Sequence, residues 1–171
     1  MRRDRDLEQL TGLVRTFEEG WSHLDFALLE SAWGLECQHL YYLSEIFPPP
    51  LRISDEVRHY WEDSQLRLER IPVRASDLYL STVGRSTSVI AFLVHTEAVL
   101  KGFDVQGFCP LGTGFRASAI CRLHRANWRI FRYVESPLAP LACLRRIYNQ
   151  IVSIDFMTLA LWDRPELALE A

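Results

Sequence analysis

The sequence predicts an α+β domain, helices packed on one face of a curved antiparallel sheet, and two observations carry that prediction. The first third of the chain repeats apolar residues at helical spacing, whereas from about residue 77 the spacing is that of strands. Three helices need a sheet to pack on, and its clearest strand lies in Ala126 to Pro137, a polar turn running into a strand that stops at a proline.

Leu7, Leu10, Val14, Phe17 and Trp21 share one helical face while Glu8, Arg15, Glu18 and Glu19 point elsewhere, which predicts a first helix ending near Gly20. Ser22 with Asp25 has capping-box spacing, and Phe26, Leu29, Ala32 and Trp33 give a second, shorter stripe that stops at Gly34. The aromatic run His39 to Leu43 reads as a short strand, broken by Pro48-Pro49-Pro50. Ser54 is placed to cap a third helix, with Asp55 and Glu56 in the first turn where the helix dipole favours negative charge. Val57, Tyr60, Trp61 and Leu68 form its predicted inner face. Arg58/Glu62 and Asp63/Arg67 are spaced to pair on the outer one.

After Pro72 the predicted strands are Asp77 to Val83, Thr87 to Leu100, Phe115 to His124 and the final one. Apolar residues on both sides of Thr87 to Leu100 suggest a strand covered on both faces. The short link Arg125-Ala126-Asn127 makes the last two strands an antiparallel hairpin. A loop with Gly102, Gly107, Gly112 and Gly114 lacks both phosphate-cradling patterns, which leaves a lid or an edge loop. Leu141, Leu144, Ile147 or Tyr148, Ile151 and Ile154 predict a last amphipathic helix, so the expected division is a domain over 1–137 and a helical extension and tail over 138–171.

Composition bounds the function. A chain of 171 residues, 49% apolar and 24% charged, can bury one core without disulfides or a structural metal. Of the 19 basic residues only Lys101 is a lysine, and the arginines are scattered in a chain of formal net charge -3, so neither nucleic acid nor an anionic membrane is an expected partner. The charged start Met1 to Asp6 has no signal-peptide core behind it, and no apolar run approaches the roughly 20 residues of a membrane span; a cytoplasmic location is expected. Cys37, Cys109, Cys121 and Cys143 are far apart and read as reduced thiols, the third and fourth in apolar patterns.

His95-Thr96-Glu97 is a polar island in an apolar strand. His95 and Glu97 share a face, and an imidazole beside a carboxylate can act as a general base near neutral pH; the plainer alternative is a strand end emerging into solvent. Arg116, Ser118 and Arg122 alternate along the next strand. A forked guanidinium suits a ligand carboxylate, although cross-strand pairing with Glu97 or Glu135 is the preferred reading for Arg122, which leaves Arg116 as the polar pocket candidate. Tyr41, Tyr42, Tyr60 and Trp61 offer hydroxyls and rings to a ligand, or pack the core. The patterns H-E-x-x-H and G-x-S-x-G do not occur, so no metal, no cofactor and no acyl-enzyme chemistry are expected.

The element order, together with Trp21-Ser22-His23-Leu24-Asp25, His39 to Ser44, Ser54 to Trp61 and Asn127 to Ser136, resembles the nuclear transport factor 2-like superfamily, and within it the SnoaL-like and ketosteroid-isomerase-like branch. The resemblance spans about residues 7 to 137. It implies a cone-shaped α+β fold with three helices on the concave face of the sheet, a pocket for a small hydrophobic molecule, and in many members a homodimer. In such a cone the candidate pocket residues are Phe17, Trp33, Tyr42, Tyr60, Trp61, Arg116 and Ser118, with His95 and Tyr41 as catalytic candidates. The isomerases place a carboxylate base after the first strand, a tyrosine on helix one and, on the sheet, an acid that an apolar pocket keeps protonated. Those positions fall at Ser44, Phe17 and Ala119, so steroid-isomerase chemistry is not expected. Scytalone-dehydratase-like and limonene-epoxide-hydrolase-like members use a His-Asp pair or an Asp-Arg-Asp set, and His39, His95 and Asp77 leave a His-carboxylate arrangement open. Three functions stay open: a ligand-binding protein without strong catalysis, an isomerase, dehydratase or cyclase acting on a small hydrophobic carbonyl compound, and an assembly module.

Overall fold

The structure, a computed structural model, describes residues 2–36, 39–44, 49–102 and 111–138. Of the glycine loop expected from Gly102 to Gly114, residues 103–110 lie outside these residues, as do the expected C-terminal helix, Cys37, Cys109 and Cys143, whereas Gly112 and Gly114 belong to a strand that starts at Leu111, earlier than expected, where they pair with Glu97 and His95.

Helix α1 (Arg2–His23) buries Leu10, Val14, Phe17 and Trp21, the predicted stripe, while Leu7 stays half exposed at its start. It runs past the predicted end at Gly20. The left-handed residue that closes it is Leu24 (φ 53°). The Asp25 N–H donates to the Gly20 carbonyl (2.8 Å) and the Leu24 N–H to that of Trp21 (3.1 Å), the paired bonds that terminate a helix around a left-handed residue. Gly20 has a different task, because a Cβ there would lie 2.6 Å from Leu29 Cγ. It is a point of close approach between α1 and α2 (Phe26–Ala32), beside the Trp21 ring that packs on Phe26.

Asp25 caps α2 by accepting from the Leu28 N–H (2.9 Å). Ser22, expected to open a capping box, lies inside α1, where its hydroxyl accepts the Val73 N–H (2.9 Å). Glu18 likewise accepts the Ala75 N–H (2.7 Å). Ser22 thus departs from its expected capping role, and together with Glu18 it fastens a strand to the helix.

Helix α3 (Ser54–Arg67) is preceded by Ile53 at the cap position, not by Ser54. An isoleucine side chain has no oxygen to offer. Glu56 reaches back instead and accepts from the N–H groups of Arg52 (2.8 Å) and Ile53 (3.4 Å). Val57 and Trp61 form its buried face. Arg58 pairs with Glu30 (2.6 Å) and Asp55 (3.2 Å) and not with Glu62, because the carboxylate on α2 is in reach; Asp63 and Arg67 pair loosely at 3.9 Å.

The strands are β1 (Tyr41–Leu43), β2 (Leu68–Arg70), β3 (Val73–Thr82), β4 (Thr87–Leu100), β5 (Leu111–His124) and β6 (Asn127–Pro137). They form one curved mixed sheet in the order β1-β6-β5-β4-β2, with β3 also on β4. Every pairing is antiparallel except that of β1 with β6. β2 and β3 follow one another along the same edge of β4, interrupted at Ile71-Pro72, where proline has no N–H for the ladder. β3 starts earlier than predicted. Its first half carries the polar residues Arg74 and Ser76 at an exposed edge, and Asp77 (φ 50°) opens a bulge before Tyr79.

Arg125 (φ 48°) and Ala126 (φ 70°) turn β5 into β6, both left-handed as a type I′ hairpin requires. Farther on, Cys121 pairs with Ile130 and Ile120 with Arg132, so Phe131 is an extra residue in β6. That bulge resets the alternation. Trp128 and Ile130 face the helices before it, Tyr133 and Glu135 after it, and Arg132 is exposed. The concave face is otherwise built from Ile90, Phe92 and Val94 of β4 and Phe115, Ala117 and Ala119 of β5, all buried under the helices. Among the described residues no helix is long and apolar enough to cross a membrane.

The two glycines of α1 have opposite expected effects on stability. Gly20→Ala forces a methyl into Leu29 and lowers stability by about 1–3 kcal/mol, whereas Gly12→Ala, with nothing within 4 Å, raises it by about 0.5–1 kcal/mol. Denaturant unfolding followed by tryptophan fluorescence measures both; equal effects would contradict the contact between α1 and α2.

Candidate functional site

Between the helices and the concave sheet lies a cavity of about 400 Å³, within the range of small-molecule sites. Its walls are mostly apolar. Phe17 and Trp21 come from α1, Leu68, Ile71 and Val73 from the segment after α3, and Ala98, Leu100 and Phe115 from β4 and β5. Polar residues also belong to the lining, among them Glu135, Ser44, Tyr60, Thr96 and Thr113.

Glu135 and Ser44 are brought together by the parallel pairing of β1 and β6. Tyr42 lies opposite Tyr133 and Leu43 opposite Val134, so the next residues of both chains, Ser44 and Glu135, come side by side. The Ser44 hydroxyl donates to Glu135 Oε2 (2.9 Å). Tyr60 of α3 reaches the same corner, with Ser44, Tyr42 and Ser64 around its hydroxyl. Burial pushes Tyr60 up to about 12, and the negative charge of Glu135 adds to the effect. Tyr42, fully buried, is raised well above its usual value by burial first and then by Tyr60 and Glu135. At neutral pH both phenols therefore hold their protons and can donate. The Tyr42 hydroxyl meets no acceptor at hydrogen-bond geometry; its ring centre lies 5.5 Å from that of Tyr60, near enough for the two to interact electrostatically.

On the wall formed by β4, Thr96 is 6% exposed and its hydroxyl has no hydrogen-bond partner. At the rim, Asp63 and Arg67 pair with each other at 3.9 Å, both well exposed. Among the described residues no three His, Cys, Asp or Glu side chains converge as a metal site would need.

Of the residues singled out from the sequence, Phe17 and Tyr60 line the cavity. Tyr42, Trp33 and Trp61 are buried in the aromatic core beside it, with Trp33 5.2 Å from Tyr42 and 6.0 Å from Trp61 between ring centres. His95, Arg116, Ser118 and Tyr41 are not there. Even-numbered residues of β4 from Ile90 to Thr96 are buried, so His95 faces outward, its side chain 64% exposed and 3.8 Å from Glu97. Odd-numbered residues of β5 from Phe115 to Cys121 are buried, which puts Arg116 and Ser118 on the same outer face. Tyr41 joins Ser118 and Arg132 in a separate shallow groove there. His39 and Asp77 are exposed as well. Arg122 pairs with neither Glu97 nor Glu135; its guanidinium lies 4.2 Å over the Phe131 ring.

The sequence reading passed over Thr96 and Glu135. Thr96 sits between the two residues of the polar island that attracted notice, and strict alternation puts it on the opposite face from them. Simple alternation from Trp128 sends Glu135 outward; the adjacent apolar pair Ile130-Phe131 is the signal of the bulge that turns it in.

No protein-family model and no curated protein matches the sequence. Solved structures do match. A candidate dehydratase of the NTF2-like family from Streptomyces avermitilis superposes with a TM-score of 0.70 at 20% identity, over 80% of this chain and 99% of the other. The hexachlorocyclohexane dehydrochlorinase LinA-type3 from Novosphingobium barchaimii gives 0.67 at 12% identity, over 80% and 89%. A candidate scytalone dehydratase from Novosphingobium aromaticivorans gives 0.67 at 8% identity, over 80% and 87%. The fold is therefore the nuclear transport factor 2-like cone, the one that the sequence resembles.

The raised phenols make alkaline stability a test of the polar corner. An unfolded tyrosine loses its proton near 10, whereas Tyr60 keeps it to about 12. Stability from this residue is therefore full below pH 10 and falls as pH rises through that window. Tyr60→Phe should flatten the loss of stability between pH 10 and 12, read by urea unfolding at each pH. An unchanged slope would show that the Tyr60 hydroxyl titrates as if in water.

Proposed function

We propose that the cone binds a small, largely apolar molecule that carries at least one hydrogen-bonding oxygen or nitrogen. Thr96 is the observation that favours this reading. A buried hydroxyl without a partner costs about 1–3 kcal/mol, and the side chain that bears this one, whose oxygen is itself covered, forms part of the wall of a cavity with aromatic and aliphatic lining. A ligand oxygen that meets it recovers that loss on binding, while the apolar body of the ligand displaces water from Phe17, Trp21 and Phe115. A cavity of this volume suits a molecule of about ten to fifteen non-hydrogen atoms. Two structural neighbours are candidate dehydratases and a third is named for the small apolar molecule hexachlorocyclohexane, which supports the same reading.

A panel of small cyclic ketones and alcohols tests it by thermal shift. Members that bind raise the melting temperature, and Thr96→Val weakens them about tenfold, the worth of one hydrogen bond at about 1–1.5 kcal/mol. The same substitution leaves the free protein as stable as before or more so. If no member of the panel shifts the melting temperature, and native mass spectrometry of the purified protein shows only the bare chain, the reading fails.

A further inference from the structure

We propose that the outer face of the sheet docks an acidic, extended segment of a partner protein, one in which two adjacent aliphatic residues precede two adjacent carboxylates. This face lies across the sheet from the cavity, so what binds there does not depend on what the cone holds.

Strand register sets the shape of the face. Residues paired across strands stand on the same side of a sheet, and Tyr79, Ala91, Ser118, Val134 and Leu43 form one row across β3, β4, β5, β6 and β1. The middle of the row, Ala91 and Ser118, is small. Two residues along the strands, about 7 Å to either side, larger side chains follow: Leu93 and Arg116 on one flank, Val89, Ile120 and Arg132 on the other. A trough between two ridges results, and the groove of about 320 Å³ that Ser118 and Val134 share with Val89, Ile120, Arg132 and Tyr41 lies in it. Tyr79, 62% exposed, stands at its β3 end. Ridges about 13 Å apart leave room for one extended chain, and a row of five strands, about 19 Å long, takes about six residues of it.

Charge decides what that chain carries. Among the described residues, the outward positions of β3 to β6 hold Arg74, Arg116, Arg122, Arg129 and Arg132 against a single carboxylate, Glu97, with Asp77 beside them at the β3 bulge, in a chain of net charge -3. Arg122 lies over the Phe131 ring, and Arg129 donates to the Trp128 carbonyl (3.2 Å). Arg116 and Arg132 are exposed and engage no carboxylate among the described residues. They stand on opposite ridges, one strand apart. An extended chain sends successive side chains to opposite sides. Neighbouring carboxylates therefore reach Arg116 and Arg132, while the aliphatic pair before them meets the half-buried Leu93 and Val89. Two copies of this chain packed face to face would set these arginines against each other, and the aliphatic floor offers nothing to a phosphate backbone. Charge complementarity thus selects an acidic peptide.

The test uses the full chain, isotope-labelled for NMR, and an end-capped decapeptide with Leu-Leu-Glu-Glu at its centre and serine on both flanks. Binding should shift the amide signals of Ala91, Ser118 and Val134, with a dissociation constant of about 100 µM or tighter. Peptides with Leu-Leu-Lys-Lys or Ser-Ser-Glu-Glu in the same place should bind at least about tenfold more weakly. The double variant Arg116→Glu/Arg132→Glu should lose at least about tenfold for the acidic peptide and gain as much for the lysine one. Should it fail to fold, Arg116→Gln/Arg132→Gln takes its place, with the tenfold loss alone expected. No shift with the acidic peptide, shifts confined to other residues, equal binding of the three peptides, or a double variant that binds like the wild type overturns the assignment. A photoreactive side chain at position 118 should form no cross-link to a second copy, or to residues beyond 138 of its own chain, before peptide is added; either product shows the trough already filled and overturns it as well.

Discussion

Strand β6 carries one residue more than the strand it pairs with, and the place of that residue decides what the cone contains. Phe131 has no opposite number between Cys121 and Ile120, so the side chains after it change faces. Without the bulge Arg132 and Val134 would continue the inner row begun by Trp128 and Ile130. With it, Tyr133 and Glu135 do. Phe131 itself is buried, and the Arg122 guanidinium over its ring adds about 0.5–2 kcal/mol to hold it there. The short strand β1 then reads this register in parallel, which places Tyr42 against Tyr133 with ring centres 5.1 Å apart and delivers Ser44 to Glu135.

The helices turn that register into a cavity. α1 closes over the sheet through Phe17, whose ring lies 5.7 Å from Phe92 and 5.6 Å from Tyr133. Its N-terminal turn is tied to β6 by the Trp128 indole N–H, which donates to Asp6 (3.1 Å). Its C-terminal half is tied to β3 by Ser22 and Glu18, which accept strand N–H groups that would otherwise be left at a sheet edge. α1 is thus anchored at both ends to different strands. The contact at Gly20 and Leu29 brings α2 under it, and the stack of Phe26 on Trp61, 6.3 Å apart and nearly parallel, joins α2 to α3. The space left between α1, the end of α3 and the last turns of β4 to β6 is the cavity.

Much of this was legible in the sequence, and particular residues explain where legibility stopped. Helical stripes and strand alternation report burial, so the inner faces of α1 and α3, the run of β4 and the β5–β6 hairpin could be read directly. Helix ends could not, because two residue types exchanged their usual duties: Leu24 took the left-handed closing position and Gly20 the close contact. β2 is too short to show a period, and the parallel partnership of β1 with a strand some ninety residues away has no local signature. The lining of the cavity was legible only in part, at Phe17 and Tyr60. Polar residues in a strand draw attention, yet His95 and Arg116 face outward, and the polar residues of the cavity lining include the modest Thr96, Ser44 and Tyr60 and one carboxylate turned inward by a bulge.

The positions that the resemblance assigns to the isomerase groups carry Ser44, Phe17 and Ala119. Ser44 sits where that base is expected after the first strand and holds a carboxylate supplied by the last one. A crystal structure of the protein, read at β6, tests this most directly. The account predicts Phe131 unpaired between Cys121 and Ile120 and the Glu135 carboxylate in the cavity within about 3 Å of the Ser44 hydroxyl. An unbroken β5–β6 ladder, with Glu135 on the outer face and Val134 inside, would contradict it.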